Sequence, residues 1–105
     1  MREMRCIVFE DAELVKALMA YRRRSGKPLP SGQISGLEIE KKPEVIVRMT
    51  ITSDAGEKVV VPTAGAELAA AMIAHCIDTR VPVPASSNKS ITTIDGHIAL
   101  KIMLS

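Results

Sequence analysis

"SITTIDGHIALKIML", residues 90–104, is the stretch whose reading decides the fold. Asp95-Gly96 is a preferred pair for a two-residue hairpin turn, because both central residues of such a turn take positive φ. Alternation runs outward from it on both sides. Pairing across the turn sets Ile91, Ile98, Leu100, Ile102 and Leu104 on one face and Thr92, Ile94, His97 and Lys101 on the other. A strand pair that is apolar on one side only belongs to an antiparallel sheet with one face to cover.

Upstream, "TRVPVPASSNKS", residues 79–90, holds two prolines and a Ser/Asn cluster and reads as an extended connection within the fold. "AGAELAAAMIAHCID", residues 64–78, is a helix with Ala69, Met72, Ile73 and Cys76 on its apolar face and Thr63 placed to cap it. "EVIVRMTIT", residues 44–52, alternates again, with Val45, Val47, Met49 and Ile51 on one face. "SDAG", residues 53–56, turns it into "EKVVVP", residues 57–62, its hairpin partner. A further strand lies in "GQISGLEIEK", residues 32–41, with Gly36 as a bulge.

The chain opens with a strand in "RCIVFE", residues 5–10, followed by a helix capped by Asp11 and carrying Leu14, Leu18 and Tyr21, with Val15 and Met19 beside them. Ser25-Gly26 ends it, and Pro28 and Pro30 prevent its resumption. The expected architecture is α+β: a mostly antiparallel sheet of five to six strands with two helices on one face, in the order β-α-β-β-β-α-β-β. Each half reads as strand material around one helix, without a repeat at solenoid periods.

A chain of 105 residues has the length of one domain, 1–105, with one core. Only 2% of residues are aromatic, Phe9 and Tyr21, so the core is built from aliphatic residues. Met19, Met49 and Met72 fall on apolar stripes and read as core fillers. No apolar run is long enough for a membrane span, and no secretory signal opens the chain, which points to a cytoplasmic protein with Cys6 and Cys76 as reduced core thiols.

Catalytic patterns are scarce. His75 and Cys76 are helix neighbours whose side chains diverge by about 100°, too far to share one ion unaided. His97 reads as an exposed turn histidine. Glu38 and Glu40 lie on one strand face, but Lys41 and Lys42 follow them, as on a solvated surface. No serine sits in a nucleophile elbow, and "SGK" at 25–27 lacks the upstream glycine and following helix of a phosphate loop. The sequence favours a non-enzyme with no cofactor and no metal.

Two features point to anions. "AYRRRSGKPLP", residues 20–30, gathers Arg22, Arg23, Arg24 and Lys27, to which Lys89 is the candidate addition from the later loop. Consecutive helical positions fan through about 200°, so at most two of the arginines can converge, and cations at a helix C-terminus also stabilise its dipole. The other feature is "VVVPTAGAE", residues 59–67, a strand turning into a helix whose first N–H groups would face an anion unless Thr63 caps them.

The first functional expectation is a non-catalytic domain acting on a partner protein or as a homodimer, with the C-terminal "ALKIMLS", residues 99–105, as the candidate pairing edge. The alternative is a regulatory domain or small enzyme that takes an anionic metabolite or acidic partner at Arg22, Arg24, Lys27 and Lys89. Backbone-directed nucleic-acid binding ranks third. A net charge of +2 and one nearby aromatic, Tyr21, supply it poorly.

Overall fold

The computed structural model describes residues 1–104. Its elements are β1 (Glu3–Phe9), α1 (Asp11–Arg24), β2 (Gln33–Glu40), β3 (Ile46–Thr52), β4 (Lys58–Ala64), α2 (Gly65–Asp78), β5 (Asn88–Ile94) and β6 (His97–Leu104). This is the α+β order the hydrophobic periods predict. All strand pairs are antiparallel, and the six strands form two three-stranded sheets, β1-β6-β5 and β2-β3-β4.

Asp95 and Gly96 both take positive φ, 52° and 80°, and join β5 to β6 as a tight hairpin with Ile94 opposite His97. The register of β2 against β3 shifts between Ile34 and Gly36, where a bulge is expected. The central strands carry the buried faces: Val47, Met49 and Ile51 from β3, and Ile98, Leu100 and Ile102 from β6. α1 adds Leu14, Ala17 and Leu18, α2 adds Leu68, Ala71, Met72 and Cys76, and a single core cluster draws on all four elements.

Four expectations are corrected. Asp11 is the first residue of α1 and not its cap: the capping position is Glu10, and no side chain caps the first N–H groups. The "ALKIMLS" segment is no edge: β6 lies between β1 and β5, so its backbone is paired on both sides. The last residue of that segment, Ser105, lies outside the described residues. Cys6 sits instead on an edge strand and is exposed, not a core thiol. Met19 is also exposed, because α1 turns Leu14, Ala17 and Leu18 inward and leaves Met19 on the flank.

Superposing the chain order on the sheets reveals an internal two-fold pattern. α1 and α2 are both 14 residues long and correspond at a separation of 54 residues. Ala12-Glu13-Leu14 recurs as Ala66-Glu67-Leu68, and Ala17 and Ala20 as Ala71 and Ala74. The buried trio Leu14, Ala17 and Leu18 matches Leu68, Ala71 and Met72, and the buried Phe9 before α1 matches the buried Thr63 before α2. Each half is thus a β-α-β-β unit. The first strand of each unit leaves its own hairpin and completes the other's, β1 against β6 and β4 against β3.

Candidate anion-binding cavity

The basic end of α1 is tied down by its own chain. Arg22 lies 3.4 Å from Glu67 in the first turn of α2, and Arg24 pairs with Asp78 at the end of α2. By the internal correspondence Arg24 and Asp78 are equivalent positions, so this pair bridges the two halves where they meet. Arg23 turns to a small cavity of about 150 Å³ beside Pro28, Leu29 and Pro30. Lys27 lines another hollow with Tyr21, Arg22 and Glu67. Lys89 folds back on its own loop, its Nζ donating to the carbonyls of Ser87 (3.1 Å) and Ala85 (3.5 Å). Of the four cations expected to gather, Arg22 and Lys27 line one hollow and Lys89 turns to its own connection, while Arg22 and Arg24 already have carboxylate partners.

The end of α1 is also closed as a helix terminus should be. Ser25 N–H donates to the Tyr21 carbonyl, Gly26 takes φ 75°, and Lys27 N–H returns to the Arg22 carbonyl at 2.9 Å. The arginines add their charge to the negative end of the dipole.

At the N-terminus of α2 the opposite holds. Thr63 does not cap it: the residue is buried in the core and its Oγ1 has no partner. The capping position is Ala64, which offers no side-chain acceptor, and Gly65 follows at φ 59° with open space where a side chain would stand. The first N–H groups of α2 thus meet no cap from their own chain. They border a cavity of about 720 Å³ walled by Gly65, Ala66 and Ala69 of α2, Ser90, Ile91, Thr92 and Thr93 of β5, and residues 41–45 of the β2–β3 connection. That connection contributes Lys41 and Lys42, with Glu44 beside them, on either side of a cis Lys42–Pro43 bond.

The equivalent end of α1 also lacks a side-chain cap, but its surroundings differ. There Glu10 and Asp11 stand where α2 has Ala64 and Gly65, and His97, from the β5–β6 turn, lies 3.7 Å from a carboxylate oxygen of each. An imidazole from the start of β6 and carboxylates at the start of α1 form a set within the chain. At α2 the cations are present as Lys41 and Lys42, while the helix start holds no carboxylate until Glu67, which turns to Arg22.

His75 packs its ring on Phe9, centroids 5.6 Å apart, with Nε2 3.6 Å from Glu13. Cys76 beside it is buried, and burial first, then the charge of Glu13, pushes its thiol above the ordinary range. Such a thiol is a core residue and a poor nucleophile. Among the described residues, no three His, Cys, Asp or Glu side chains gather as a metal site, and no helix is long and apolar enough to cross a membrane. Glu38 and Glu40 do not act as a pair, since Glu40 is bound to Arg48. No family model matches the chain, and neither a curated protein nor a solved structure shows significant similarity to it.

The sequence signal for this cavity was "PTAG", the strand-to-helix turn. What the sequence could not convey is that Lys41 and Lys42, some twenty residues upstream, come to the same place.

Proposed function

We propose that this chain is a non-catalytic, cytoplasmic binding domain that takes a small anionic ligand in the cavity at the start of α2. The observation that carries the reading is the uncapped helix start, Ala64-Gly65, facing Lys41 and Lys42 across a cavity large enough for a metabolite. Backbone N–H groups and the positive end of the helix dipole would receive a carboxylate or phosphate, and the lysines would neutralise its remaining charge. Pro43, Val45, Ala69 and Ile91 give the wall an apolar part, and the hydroxyls of Ser90, Thr92 and Thr93 give it donors. The ligand class is a compact anion with a short apolar body. Glu44 at the rim disfavours ligands of high charge density such as polyphosphates.

Backbone-directed nucleic-acid binding draws less support, because Arg22 and Arg24 are already paired with carboxylates of their own chain. The test is a thermal-shift screen with inorganic phosphate, short-chain carboxylates and phosphorylated metabolites at low and moderate salt. A ligand at one hundred times its dissociation constant adds about 2.7 kcal/mol, a shift of several degrees or more in a chain of this size. The double substitution Lys41→Ala, Lys42→Ala is expected to abolish the shift, and Arg22→Ala, Arg24→Ala to leave it in place. The reverse pattern would move the site to the end of α1 and refute the cavity.

A further inference from the structure

Two three-stranded sheets leave four edges, β1, β5, β2 and β4. An unprotected edge is a row of free N–H and C=O groups ready to pair with another strand. Three of the four carry an obstacle. β4 contains the exposed Pro62, which has no N–H to donate. β2 is broken by the shift between Ile34 and Gly36, and β5 carries Lys89, held against the connection that leads into the strand. β1 has no proline and no bulge over Glu3–Phe9, its one cation, Arg5, falls opposite Ile7 in the pairing described below, and its first four residues are exposed on both faces of the sheet.

Its side chains say what pairs with it. Met4, Cys6 and Val8 alternate along one face, all exposed, with Met4 at 61% and Val8 at 39%. Seven residues lie in the strand, three on each side of Cys6, so full-length antiparallel pairing of β1 with itself is centred on Cys6. That register sets Met4 opposite Val8 of the second copy, Cys6 opposite Cys6 and Arg5 opposite Ile7. No two like charges fall directly opposite, and the exposed apolar row is covered by its own equivalent.

We propose that a second copy of this chain docks here, β1 against β1 about a two-fold axis, joining two three-stranded sheets into one of six strands in the order β5-β6-β1-β1-β6-β5. The interface is isologous, as a two-fold dimer requires, and its affinity comes from main-chain pairing, as in other strand-addition complexes. A single strand pair is a small interface, so association depends on concentration. The proposal is independent of the anion cavity, which lies at the other helix start and involves no residue of β1.

Sedimentation velocity from low micromolar to near-millimolar protein tests it, with a short bis-maleimide as the probe of register. Cys76 is buried, so Cys6 is the thiol open to the reagent. The expected result is a monomer–dimer equilibrium, a covalent dimer formed through Cys6 and absent in Cys6→Ser, and a monomer throughout the range for Met4→Lys, Val8→Lys. Both of those positions are exposed, and an unchanged circular dichroism spectrum will show that the variant is folded. A wild-type monomer at the highest concentration overturns the proposal. So does a dimer that survives the lysines, or one that fails to cross-link through Cys6.

Discussion

Thr63 and Phe9 occupy equivalent places before the two helices, and their difference shows what a single residue decides here. Phe9 fills its site and lies against His75, whereas Thr63 buries an unpartnered hydroxyl. In sequence, Thr63 is a good helix cap, because nothing in "PTAG" announces that the chain turns one residue later, at a left-handed Gly65. Cys6 is legible as a strand residue, but its exposure depends on which strand lies beside it. Cys76 is legible throughout, being apolar in its helical phase and buried in the fold, and it carries the prediction at this scale. Burial and Glu13 raise the folded thiol's pKa above that of the unfolded thiol. Between those two values the unfolded chain has lost a proton that the folded chain keeps, so stability falls as pH rises. The contribution is complete below the unfolded pKa and is lost towards the folded one. Urea denaturation at stepped alkaline pH will show a falling midpoint in the wild type and a flatter limb in Cys76→Ala, although that variant starts from lower stability. Equal slopes in the two proteins would refute the assignment.

Among elements, the β5–β6 hairpin and the two helices were the most legible, because a turn pair with positive φ and a run of residues at helical spacing are local signals. Which strands neighbour one another is not local. A period of two fixes the faces of β1 and β6 but not that β6 lies at the centre of its sheet, because a central and an edge strand carry the same alternation. The helix correspondence yields a sharper expectation than burial alone. Leu14 and Leu68 hold equivalent positions and are both fully buried in the same core cluster. Leu14→Ala and Leu68→Ala are therefore each expected to cost about 2–5 kcal/mol, the range for deleting a leucine from a closed core. Their costs should be alike, and the double variant should depart from the sum because the two helices pack on each other. Ile77→Ala, on the exposed side of α2, is the control and should move the denaturation midpoint little. If Leu68→Ala proves as mild as the control, the core is not shared between the halves in the way described.

Across the whole molecule, the exchange of first strands governs behaviour. The fold measures 55 × 28 × 19 Å with a radius of gyration of 14.4 Å, more extended than the roughly 13 Å typical of a compact chain of this length. Two sheets in so elongated a shape could behave as two units if each came from one half of the chain. They do not: the β5–β6 hairpin needs β1, the β2–β3 hairpin needs β4, and the helices from both halves share one core. The echo between halves is visible in the sequence as strand material around each helix, yet the exchange is not, because pairing within a half satisfies the same hydrophobic pattern. Loss of either first strand removes an edge from the other half's sheet. Unfolding is therefore expected to be a single cooperative transition, with far-ultraviolet circular dichroism and Tyr21 fluorescence coincident and the calorimetric and van't Hoff enthalpies equal. Because each sheet is completed by strands distant in sequence, folding should also be slower than in a helical bundle of the same length. Two resolved transitions would mean that the sheets are stable apart, and that the strand exchange does not couple the halves.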